Sequence, residues 1–147
     1  MSIALAAGIT STAQAQTTAI SALTNWNVYS THFGPNGEDA PLRYGRGDVA
    51  GSAGFGKLHI EDKHASQMAS WSVMKRDIDK TLDRGTCSTT GASGNRKTTC
   101  VLNSNTFYNT RARQMKVVFA HRVDSDSRDG RPVGIITAYY SICGCFR

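Results

Sequence analysis

Glutamate is nearly absent from this chain: Glu38 and Glu61 are the only two. The catalytic glutamate that a mono-ADP-ribosyltransferase places late in its chain is therefore missing. Long apolar runs are missing too. Nothing approaches the ~20 consecutive apolar residues that a membrane-spanning helix requires, so no membrane span is expected. The four cysteines form no paired C-x-x-C knuckles, which argues against structural zinc. There is no H-E-x-x-H helix, and His59 and His64 stand at the wrong separation for one. Neither a metal nor another cofactor is expected.

What is present is basic. Lys and Arg number 17 against 11 Asp and Glu, a formal net charge of +6 with a pI near 9.4. Such a balance favours polyanionic partners: RNA, DNA or an anionic surface. At 147 residues the chain has room for one domain with a modest core. Residues 1–15 read as an export signal, with a small apolar run from Ile3 to Ile9 and an A-x-A site at Ala13-Gln14-Ala15. The basic segment that usually precedes such a run is lacking. The expected product is a secreted or periplasmic, monomeric domain over residues 16–147.

An even cysteine count in an exported chain predicts two disulfides, with three possible connectivities. Cys87 and Cys100 bracket a polar segment that reads as a hairpin loop or long turn, and their pairing is the simplest local closure. Cys143 and Cys145 form a C-G-C whose own bridge would be strained, so pairing of that end to the hairpin stays open.

Residues 16–53 show no long period and carry Trp26, Tyr29, Phe33 and Tyr44 as isolated aromatic anchors. Gly45-Arg46-Gly47-Asp48 is a turn signal. From Leu58 the spacing becomes helical through Ile60, His64, Met68 and Trp71. A second helix is predicted from Trp71 to Leu82, ended by Gly85 as a C-cap. Strand-like runs follow at 98–102, 115–123 and 134–142, the last two joined by a polar loop turning at Asp129-Gly130. Helices first and antiparallel strands after them predict an α+β fold.

Two segments carry the chemistry. On a helix, His59 and Lys63 share a face, and His64 lies about 100° further round. If Gly54-Phe55-Gly56 opens that helix, His59 sits in its first turn, where unpaired backbone amides attract an anion such as phosphate. In the last strand, alternation puts Ile136, Ala138, Tyr140 and Ile142 on one side for the core. Ile135, Thr137, Tyr139 and Ser141 fall on the other side. His121 shares a face with Val117 and Phe119 and reads as a partly buried strand residue. Arg122, on the opposite face, is a candidate phosphate contact, as is Lys57. His32 receives no role.

The pattern G-F-G-x-x-H-I-x-x-K-H over Gly54–His64, followed by a late T-x-Y strand, resembles the Barnase–EndoU–colicin–RelE group of bacterial toxin ribonucleases. It is similar also to the RNase A-like domains that end contact-dependent inhibition toxins. The resemblance covers Gly54 to Tyr140. It implies that His59, Lys63 or His64, Thr137 and Tyr139 line a site that cleaves RNA by attack of its own 2′-hydroxyl. It implies an RNA substrate and a cognate immunity protein as partners. The chain departs from barnase in having no strand glutamate to act as base. A non-catalytic basic domain that grips a polyanion is the alternative.

Overall fold

The computed structural model describes residues 24–107 and 113–141. The predicted leader and the Cys143–Cys145 end, with any second disulfide, lie outside the described residues. The architecture is α+β. Two short strands, β1 (Val28–Ser30) and β2 (Leu42–Arg43), pair antiparallel ahead of two helices, α1 (Gly56–His64) and α2 (Trp71–Arg84). A four-stranded antiparallel meander follows: β3 (Thr86–Thr90), β4 (Lys97–Asn103), β5 (Gln114–Val123) and β6 (Pro132–Ser141). Among the described residues no helix is long and apolar enough to cross a membrane.

The second helix starts where predicted because Ser70, in extended conformation, accepts a hydrogen bond from Val73 N at 3.3 Å. Met74, Ile78 and Leu82, one helical turn apart, then fall on one face and are buried. They pack on the inward face of the sheet, formed by Cys100, Met115, Val117, Phe119, Ala138 and Tyr140. Each such large apolar side chain contributes about 1.5–3 kcal/mol on burial. Gly85 does cap the helix, but with φ −75° rather than the left-handed conformation usual at a C-cap. Its lack of a side chain matters for space: a Cβ there would sit 2.5 Å from Thr81 O.

The first helix is shorter than its pattern suggests. It stops at His64, tightens into a 3₁₀ turn over Ala65–Gln67, and continues extended at Met68. Ile60 is fully buried from the helix, while Met68 and Trp71 reach the same core from beyond it. The apolar spacing is thus honoured by two elements instead of one. Leu58 is exposed.

β3 went unread because its Thr-Cys-Ser-Thr-Thr segment is almost wholly exposed and shows no buried alternation. Its register places Cys87 opposite Cys100, and the two form the Cys87–Cys100 disulfide. The region between them is therefore a true hairpin, with strands running well into the polar segment.

The last strand departs from simple alternation at one place. Its pairing with β5 shifts between Val118↔Thr137 and Phe119↔Ile135, leaving Ile136 as an extra residue in a β-bulge. Ile135, not Ile136, consequently joins the main core. Ile136 packs in a smaller cluster with Phe55, Ala120, Val133 and Trp26. Beyond the bulge, Ala138 and Tyr140 face the core as expected.

Two polar fixtures hold the N-terminal segment to this frame. The wholly buried Arg43 guanidinium spans Asp129, at 2.8 and 3.0 Å, and accepts no competitor because it also donates to the Trp26, Arg131 and Pro132 carbonyls. Arg43, foremost, holds the Asp129 carboxyl down to about 2. Buried His32 places Nδ1 2.6 Å from Asp79 and Nε2 2.8 Å from Ser30. Asp77, also buried, accepts from Tyr140 Oη at 2.7 Å, tying α2 to β6.

Candidate active site

The site grows from the turn that opens α1. At Gly56 the backbone has φ +76°, and a Cβ would stand 2.6 Å from Arg43 O, so only glycine fits. Phe55 precedes it in extended conformation without a side-chain cap. Several amides of this turn are engaged within the chain. Leu58 N donates to Tyr44 O at 2.9 Å, and Gly54 N donates to Asp48 Oδ1 at 2.6 Å. The anion held here is the chain's own carboxylate.

Asp48 organises the cationic side of the site. The oxygen that accepts from Gly54 N also accepts from His59 Nδ1 at 3.0 Å, and the other oxygen lies 2.9 Å from Lys63 Nζ. The Gly54 amide, then Lys63 and His59, hold its carboxyl down to about 2, and Asp48 in turn raises the Lys63 ammonium. Because a carboxylate only accepts, His59 Nδ1 carries the proton in this pair, and Nε2 is left to act on a ligand. The His59 side chain is 14% exposed, against 46% for Lys63.

His64, at the C-terminal end of α1, faces β6. Its ring stacks on Tyr139 with centroids 4.7 Å apart and planes 20° from parallel. Burial, helped by the neighbouring His59 and Lys63 charges, lowers its pKa. The imidazole is accordingly neutral at neutral pH and ready to take a proton. On the same face of the sheet, Tyr139 pairs with Lys116 and Thr137 pairs with Val118 across to β5. Thr137 Oγ1 is enclosed yet has no hydrogen-bond partner among the described residues. A buried hydroxyl without a partner costs about 1–3 kcal/mol.

The structure therefore groups His59 and Lys63 on one carboxylate, with His64 close enough to feel both charges and itself resting on Tyr139. Lys57 is not brought there. It points to the other flank of α1, 2.5 Å from Glu61 and above the rings of Tyr29 and Trp71. Arg122 pairs with Asp124 at 2.6 Å and lines a separate cleft. His121 is half-buried, with Nε2 2.7 Å from Thr98 Oγ1, the structural setting its strand position suggested. Asp48 is the residue that sequence reasoning missed. Its only signal was an acidic side chain in a turn just ahead of the G-F-G segment.

Chemically, the cluster offers a neutral imidazole, a second imidazole oriented by a carboxylate, an ammonium, and the Tyr139 ring stacked on His64. That set can move two protons and stabilise developing negative charge. Among the described residues no group of three or more His, Cys, Asp or Glu side chains is arranged to hold a metal ion. Comparison with protein-family models, curated proteins and solved structures finds no match to this chain.

Proposed function

We propose that this chain is an endoribonuclease that cleaves RNA without metal, by attack of the substrate's 2′-hydroxyl on the adjacent phosphorus. The observation that carries the reading is the convergence of His59, held by Asp48, with His64 stacked on Tyr139. In the reaction, neutral His64 takes the 2′-hydroxyl proton as the oxygen–phosphorus bond forms. Protonated His59 gives its Nε2 proton to the 5′-oxygen as the old phosphorus–oxygen bond breaks. The products are a 2′,3′-cyclic phosphate and a free 5′-hydroxyl. Lys63 and the Thr137 and Tyr139 hydroxyls stabilise charge on the non-bridging oxygens, a contribution of roughly 3 kcal/mol for each well-aimed donor. DNA lacks the nucleophile and is bound without being cut.

The motifs that resemble bacterial toxin ribonucleases support the same reading and extend it to an exported toxin acting as a monomer. In that setting an immunity protein would cover the site in the producing cell. The Cys87–Cys100 disulfide is compatible with an extracellular location. The test is incubation of purified protein with single-stranded RNA in EDTA, followed by analysis of the ends. Cyclic phosphate termini are expected. Intact RNA that is nevertheless bound would replace the enzyme with a polyanion-binding module.

A further inference from the structure

Beside the imidazole cluster lies a cleft of about 530 Å³, within the range of roughly 300–1,000 Å³ usual for ligand sites. Its floor is apolar and separate from the main core. Trp26 and Phe55, with ring centroids 4.8 Å apart, and the bulged Ile136 provide it. Its rim is polar and of mixed charge: Arg46, Lys97 and Arg122 stand with Asp124, Asp126 and the side-chain amides of Asn25 and Asn95. Arg46 is bonded to Ser52 and Arg122 to Asp124, so both guanidinium planes are held in place, while Lys97 is exposed.

The cleft and the imidazole site meet at Gly54. Gly54 lines the cleft, and its amide is bonded to the Asp48 oxygen that also orients His59. On the ribonuclease reading, a strand whose phosphate sits at His59 would bring a neighbouring nucleotide toward this cleft. We infer that the cleft receives the base of the nucleotide flanking the cleaved phosphodiester, an inference that rests on the ribonuclease reading. A flat ring suits an apolar, aromatic floor, and its polar edge suits amides that both donate and accept. The rim cations match the phosphate of the same nucleotide. The bulge at Ile136 makes the cleft possible by diverting one strand residue from the main core to this floor.

The inference is tested with 2′-O-methyl RNA pentamers, which cannot be cleaved, compared with an abasic pentamer of the same backbone. Binding is measured calorimetrically for each base. The wild-type protein is expected to hold its best base about 5- to 100-fold tighter than the abasic strand, the range that one stacked base supplies. Asn95→Ala, on an exposed loop residue, and Ile136→Trp, which fills the floor, should narrow that gap while leaving abasic binding unchanged. Equal affinity for base-bearing and abasic strands would overturn the inference. So would an unaltered gap in a folded Asn95→Ala protein, or an equal loss for both strands. Base-dependent binding that the variants abolish, in a protein that never cuts RNA, would uphold the cleft and sink the enzyme. Cleavage with no base preference in binding would do the reverse.

Discussion

Two histidine–carboxylate pairs stand among the described residues, and on the proposed function only one serves the chemistry. His32 is buried, and both ring nitrogens are spoken for, Nδ1 by Asp79 and Nε2 by Ser30. Read as a list of residue types, Ser30, His32 and Asp79 imitate a hydrolytic triad. In place, the group is a clasp between the β1 end and α2. His59 uses Nδ1 in the same way, on Asp48, but makes no other hydrogen bond among the described residues and remains partly open. The carboxylate is common to both. What separates a fastener from a proton carrier is the state of the second nitrogen.

The strongest way to break that comparison is to remove each imidazole in turn. His59→Ala should cut RNA cleavage by about 10²- to 10⁴-fold while the thermal midpoint stays put. A comparable loss in His32→Ala, with unchanged stability, would show that the two sites have been ranked wrongly. Next in size, removing the disulfide by Cys87→Ser with Cys100→Ser should destabilise by about 3 kcal/mol, read from urea unfolding with the residual rate of folded protein unaffected. His32→Ala is expected to cost about 1–3 kcal/mol, because it removes a buried, doubly hydrogen-bonded side chain without touching the site.

Asp48→Asn sharpens the comparison further. It keeps an acceptor for the Gly54 amide but loses the charge on His59 and Lys63, so kcat should fall by about tenfold or more with KM little altered. An equal change in both would indicate a structural role alone. The smallest effect concerns acidity. Because the His64 pKa is lowered from its ordinary value near 6.5, its neutral form persists as pH falls, and the acid limb of the rate profile should lie below that value. The unfolded chain then binds more protons in this interval, so stability should decline as pH drops from about 6.5 toward the lowered folded value. His64→Ala should remove that part of the decline.

Much of this was visible in the residues themselves. The apolar spacing of Met74, Ile78 and Leu82 with Gly85 at the end delivered α2 almost to the residue, since local pattern and burial agree there. The alternation of Ala138 and Tyr140 delivered the inward face of β6. Failures came where tertiary contacts decide. Nothing in Gly-Ile-Ile-Thr announces a bulge, because the extra residue is tolerated only with Trp26 and Phe55 ready to receive Ile136. Lys57 was read as a phosphate contact, but its capture by Glu61 and above the Tyr29 and Trp71 rings depends partly on elements distant in the chain. Asp48 belongs to a turn whose partners emerge only once the turn folds against α1.

The stacking of His64 on Tyr139 has a consequence for synthesis of the chain. β6 forms one edge of the meander, and α1 packs along it, so His64 has no Tyr139 ring to stack on until that strand has joined. A growing chain that has delivered α1 but not yet β6 carries the histidines without the surface they work against. On the proposed mechanism the site is complete only once β6, the last strand of the meander, has joined it.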